Sequence, residues 1–222
     1  MRKRYIDCEF CSSERMKGHI FPMYLQAFDT ERLRHSLIYD GTYFVVKPDI
    51  SPIVKGHLLI IPKSHYYSIL SIPKEQMDEL TSLKQKIIDY YLMSNKHFMF
   101  FEHGCCDDVE SGSSCIHHAH LHAIPIDENM EKLIITNVIK ELGYNTLRPQ
   151  DVARNVYLYM QTTLSPALYW KDEEQHSQFF RIVIASISGN MQRARWQNCI
   201  INEKERNISG MWLEEIKGLK FQ

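Results

Sequence analysis

The chain has almost no net charge: 26 Lys and Arg stand against 27 Asp and Glu, which leaves −1 with histidine neutral. That balance excludes a molecule that binds polyanions through its whole surface. Short basic clusters occur at Arg2-Lys3-Arg4 and from Arg193 to Arg195. Neither amounts to a DNA-binding finger or a basic face, the second reads most simply as charged surface around Trp196, and a nucleic-acid partner is not expected. No apolar run reaches the ~18 residues of a membrane helix. The basic start, residues 1–7, lacks the apolar core and small-residue cleavage site of a signal peptide. The expectation is a cytoplasmic protein with no membrane partner. In that setting the six cysteines, Cys8, Cys11, Cys105, Cys106, Cys115 and Cys199, read as thiols or metal ligands rather than a disulfide framework.

What the chain does have is histidine in one place. Residues 116–125 run Ile-His-His-Ala-His-Leu-His-Ala-Ile-Pro. Small or branched apolar spacers and a closing proline are strand features, and strand side chains alternate faces, so His118, His120 and His122 are expected on one side. Burying several imidazoles costs free energy unless each has a partner or ligand, so three at period two point to a site more than to chance composition.

The stretches before it are strand-like as well. Residues 36–39 and 42–46 flank Asp40-Gly41 as a hairpin, and Leu58 to Ile61 is a continuous apolar run, as in a strand buried on both faces. His57 and His65 bracket that run, and Asp49-Ile50-Ser51-Pro52 precedes it. A helix is expected behind Ser71 and Pro73, with Met77, Leu80, Leu83, Ile87, Ile88 and Tyr91 as its apolar stripe. Next comes a strand from His97 to Phe101, then a polar loop through Ser113-Ser114-Cys115 into the histidines. Cys8-Glu9-Phe10-Cys11 is half a metal site by spacing, needing two more ligands, or else a redox or idle thiol pair.

His-x-His-x-His followed by apolar residues, with Asp-Ile-Ser-Pro and Gly-His eight residues apart before it, resembles the histidine-triad (HIT) superfamily of nucleotide hydrolases and transferases. The resemblance covers roughly residues 8–125. It implies an α+β fold, an antiparallel sheet of about five strands with packed helices, often paired about a two-fold axis as a homodimer. It implies His120 as nucleophile, His57 in the orienting network, His122 at the phosphate oxygens or leaving group, and Asp49 on the nucleotide ribose. Cys115 stands where the family has its phosphate-contacting serine and Ser114 where it has glutamine, which leaves Ser113 and Ser114 as the candidate phosphate contacts. In zinc-bearing members two cysteines and two histidines close a structural site, here Cys8, Cys11, His65 and His118.

The implied activity is hydrolysis of a nucleotidyl phosphoramidate or phosphoanhydride through a covalent His-NMP intermediate, with His122 favouring hydrolase over transferase. A non-catalytic, zinc-stabilised nucleotide- or protein-binding module is the alternative. The HIT-like domain is expected over residues 1–128, and residues 129–222 form a mainly helical extension packed on it. Within the extension, Glu128 to Leu142 is an amphipathic helix ended by Gly143, residues 156–160 form a strand, and Gln175 to Ile187 a helix ended by Gly189. Residues 177–181, ending in Arg181, bear a loose resemblance to C-terminal extensions of larger HIT-like proteins.

Overall fold

The computed structural model describes residues 8, 10, 37–105, 118–144, 147–172, 178–216 and 218–221. Seven strands form one antiparallel sheet: β1 Tyr39–Asp40, β2 Phe44–Pro48, β3 Leu58–Pro62, β4 His97–Gly104, β5 Leu121–Ile126, β6 Tyr157–Thr162 and β7 Leu168–Lys171, in the order β1-β2-β3-β5-β4-β6-β7. The first five make the expected sheet. β6 pairs with the outer edge of β4, and β7 with β6, so the sheet continues beyond residue 128.

Strand alternation gives the sheet two apolar faces. Phe44, Val46, Leu58, Ile60, Phe100, Leu121, Ala123 and Tyr157 pack on helix α1, Met77–Met93, through its buried Leu80, Leu83, Ile87 and Tyr91. Met99, Phe101, Ile124, Leu158, Met160 and Trp170 face the other way, against Ile134 and Val138 of α2, Glu128–Leu142, and Phe180 and Ile184 of α3, Phe179–Ile187. β3 is buried along its whole length because both faces are covered, as its unbroken apolar run requires. Removing a side chain such as Leu83, 1% exposed, costs about 2–5 kcal/mol.

Element ends follow local chemistry. α2 spans the expected residues because Asp127 caps it, accepting a hydrogen bond from the Met130 amide, and Gly143 ends it at φ +76°. α1 starts later than Ser71: two 3₁₀ turns, Ile69–Ser71 and Lys74–Gln76, come first, and the Ser71 hydroxyl donates to the Ser68 carbonyl within the first of them. α3 begins at Phe179, and residues 175–177, where that helix was expected to start, lie outside the described residues. A last helix, α4, Glu203–Glu215, is capped by the Asn202 side chain, which accepts from the Lys204 and Glu205 amides. Trp196, Ile200 and Leu213 of this C-terminal part close a third cluster with Val45, Ile50, Leu59 and Ile61. Among the described residues no helix is long and apolar enough to cross a membrane.

Candidate functional site

β3 and β5 are neighbours, and their register sets Leu58 opposite Ala123 and Leu59 opposite His122. His57, one residue before β3, therefore meets His122 across the ladder: His57 Nε2 lies 2.9 Å from His122 Nδ1. Which nitrogen holds the proton follows from the neighbours. The Ile53 amide, which can only donate, bonds His57 Nδ1 at 3.2 Å, so the His57 proton sits on Nε2 and is given to His122 Nδ1. His122 in turn keeps its proton on Nε2. Burial holds both imidazoles well below their ordinary range, with the Arg181 charge pushing the same way; at pH 7 both are neutral.

His120 has the opposite tautomer. Its Nδ1 lies 2.8 Å from the His118 carbonyl, which can only accept. The ring therefore carries its proton on Nδ1 and leaves Nε2 with a bare lone pair. Burial holds it below its ordinary value, opposed by that same hydrogen bond. The His120 and His122 rings lie 4.9 Å apart, and Phe101 of β4 stacks flat on His122 at 4.4 Å with 3° between planes. β5 begins at Leu121, later than the motif suggests, because the backbone before it is used otherwise: the Ala119 amide donates to Tyr66, and the His118 carbonyl is taken by the His120 ring.

His118 turns to a separate cluster. Its Nε2–H donates to the Pro62 carbonyl at 2.8 Å, which leaves Nδ1 to face Cys8 Sγ at 3.4 Å. Ligand atoms of Cys8, His65 and His118 all lie within 4.8 Å of one another. One thiol and two imidazoles, one of them already oriented by a backbone carbonyl, are a donor set that suits zinc, with a fourth ligand needed. Burial pushes His118 down to about 4, so its lone pair is available at neutral pH. Cys11, the expected fourth ligand, lies outside the described residues, as do Ser113, Ser114 and Cys115.

Asp49 is in the site but closed off. It is 5% exposed; Oδ1 accepts from the Ser51 amide at 2.7 Å and Oδ2 from Arg181 Nη1 at 3.2 Å. The resemblance gives this carboxylate to a ribose; the fold gives both its oxygens to partners inside the protein. Arg181 itself, 6% exposed, also donates through Nη2 to the Ser51 and Arg193 carbonyls. The motif-based reading attached no role to this arginine, because the Asp49 carboxylate and the Ser51 carbonyl it holds are 130 residues or more away in sequence.

His103 was also missed. It lies on the His122 side of β4, and its Nε2 is 2.8 Å from Asp172 Oδ2. Glu102-His103-Gly104 ends a strand without motif spacing to the triad, so only the register of β4 against β5 brings it near.

The family described as "Protein similar to CwfJ C-terminal" matches residues 28–139, just over half of the chain. Zinc finger CCCH domain-containing protein 59 of Oryza sativa subsp. japonica is 25% identical over 192 residues, 77% of this chain and 30% of that protein; the chain thus spans under a third of the relative's length. An uncharacterised HIT-like protein of Mycobacterium tuberculosis (strain CDC 1551 / Oshkosh) is 27% identical over 96 residues, covering 43% of this chain and 64% of the relative. A Zn-bound histidine triad family protein from Mycobacterium smegmatis superimposes with a TM-score of 0.37 at 20% identity, covering 56% of this chain and 78% of the other. Sheet, helices and imidazole cluster make a HIT-like fold. Within that class the chain belongs to the family of proteins similar to the CwfJ C-terminus.

Proposed function

We propose that the chain is a histidine-triad nucleotide hydrolase with His120 Nε2 as its nucleophile. The observation that carries this reading is the His120 Nδ1–H bond to the His118 carbonyl, which fixes the tautomer an attacking imidazole needs. The Nε2 lone pair attacks the phosphorus of an adenylated or otherwise nucleotidylated substrate. An N–P bond forms while the bond from phosphorus to the leaving group breaks. An anhydride leaving group departs as an anion, and an amine takes its proton from solvent. Water then attacks the same phosphorus, the N–P bond breaks, the water proton goes to solvent, and the nucleoside monophosphate leaves.

His122 Nε2–H is the donor for the phosphoryl oxygens, where charge develops. It donates a hydrogen bond without giving up its proton, because passing the His57 Nε2 proton forward to replace it would leave an imidazolate whose Nδ1 faces an amide N–H that has no proton to give. Cys8, Cys11, His65 and His118 would hold a zinc ion. Four protein ligands leave no open position, so the ion supplies a structural tie between the N-terminal segment and the sheet. Ser113 and Ser114 belong to this reading as phosphate contacts, and two copies of the chain as its assembly.

The test is turnover of adenosine phosphoramidate and of a dinucleoside polyphosphate by wild type and His120→Ala, with mass-spectrometric capture of the adduct. The expected result is a nucleotidyl group on His120 in wild type and a loss of about 10⁴-fold or more in the variant. Equal activity in the folded variant would defeat the proposal. A second reading, a zinc-stabilised binding module, draws on one observation: Asp49 is engaged by Arg181. AMP binding with no turnover of either substrate and no adduct would favour it.

A further inference from the structure

Three side chains from the C-terminal part of the chain grip three consecutive carbonyls of the loop before His57. Arg181 Nη2 donates to Ser51 at 2.7 Å, Arg193 Nε to Pro52 at 2.5 Å and Asn190 Nδ2 to Ile53 at 3.1 Å. Arg193 is itself buried, 1% exposed, and locked by Glu205 and Ser209 of α4 and by the Trp212 ring. The loop's shape is thus set from residues 181–209. That shape matters for one bond, the Ile53 amide to His57 Nδ1.

Asp49 Oδ2 competes for the same nitrogen. It lies 3.4 Å from His57 Nδ1, within easy reach of a short side-chain rotation. If the carboxylate took that position, His57 would move its proton to Nδ1 to donate to it. Nε2 would then accept from His122 Nδ1–H, and His122 Nε2 would face the site as a bare lone pair, repelling the phosphoryl oxygens it should hold. Arg181 prevents this twice: Nη1 draws off Asp49 Oδ2, and Nη2 holds the loop that aims the Ile53 amide.

We propose that Arg181, with Asn190 and Arg193, is a positioning residue that sets the His57–His122 tautomer from the C-terminal part of the chain. The consequence for catalysis rests on the hydrolase reading above; the tautomer itself does not. The measurement is the two-bond proton–nitrogen correlation of the imidazole rings in protein labelled with ¹⁵N-histidine, without substrate, on wild type, Arg181→Lys, Arg181→Met and Asn190→Ala. Wild type is expected to show His57 and His122 protonated at Nε2. Arg181→Met is expected to move both to Nδ1. Arg181→Lys, which keeps a cation on Asp49, is expected to hold the wild-type pattern, and Asn190→Ala to give a mixture.

With a nucleotidyl substrate, kcat of Arg181→Met is expected to fall about 10- to 100-fold while KM changes little, and Arg181→Lys to recover most of it. His57 and His122 remaining at Nε2 in folded Arg181→Met overturns the proposal. So does a full tautomer reversal with kcat unchanged. Should Arg181→Met not fold, the half-buried Asn190 decides: a spectrum of Asn190→Ala identical to wild type overturns it. A reversal in protein that turns over no nucleotide supports this proposal and removes the hydrolase reading instead.

Discussion

Two imidazole clusters lie side by side in this molecule, and they are prepared for opposite guests. In one, Cys8, His65 and His118 converge, and the His118 Nε2–H is turned outward, to the Pro62 carbonyl. In the other, Asp49, His57 and His122 are as close together, yet an amide N–H already fills His57 Nδ1 and the Arg181 guanidinium sits 3.2 Å from the carboxylate. The first offers donors that suit a cation, and the second sets a guanidinium against one. Proximity of His, Asp and Cys does not by itself make a metal centre; what decides is where the neighbouring donors have already placed their protons and charges.

The largest expected effect separates the clusters by metal content. Cys8→Ser loses most of its zinc by elemental analysis, and its melting temperature falls by about 12 °C, corresponding to ~4 kcal/mol at this chain length. Asp49→Asn keeps the wild-type zinc content; an equal loss in both variants would erase the distinction.

The next effect keeps pH out of the comparison. His57 and His122 in one cluster and His118 in the other are held below their ordinary range, so at pH 7 they stay neutral. Glu102, on the α1 face, does titrate near neutrality: it is buried beside Tyr157 and the Ile69 amide, and burial raises it from 4.5 to about 7. Between those values the folded state holds a proton that the unfolded chain has lost, so stability declines as pH climbs from 4.5 to 7 and levels off above. Urea unfolding of wild type is expected to lose up to about 3 kcal/mol across that window, and Glu102→Gln to lose little. A wild-type slope that survives in Glu102→Gln would move the titration back to the histidines.

Smaller still is the effect of Phe101→Leu. It removes the flat stack on His122, costs about 1–2 kcal/mol and shifts the His122 ring resonances. The His118 resonances and the zinc content are expected to stay put.

Much of this was legible in residue patterns. An unbroken apolar run marked β3; apolar periodicity and Gly143 marked α2; Gly-His before β3 and His-x-His running into β5 singled out His57 and His122, which stand 2.9 Å apart. What was not legible depends on contacts far apart in the chain. Arg181 and Arg193 look like surface cations until the fold buries them on carbonyls some 130 to 141 positions away. The pairing of His103 with Asp172 depends on β7, a strand of four residues with no distinctive pattern. The start of α1 is hidden for a local reason, two 3₁₀ turns that take the serine a cap would have used.

The ladder between β3 and β5 also carries a length constraint. Leu59 faces His122, and Leu58 and Ile60 face Ala123 and Leu121. Sliding β5 by a single position would swing His122 under α1 and bring an aliphatic side chain round to meet His57. Insertions or deletions of one residue inside Leu121–Ile126 should therefore silence the protein even where it still folds, whereas a two-residue change would restore the facing but misplace the partner. The spacing between strands is as much a part of this site's chemistry as the imidazoles themselves.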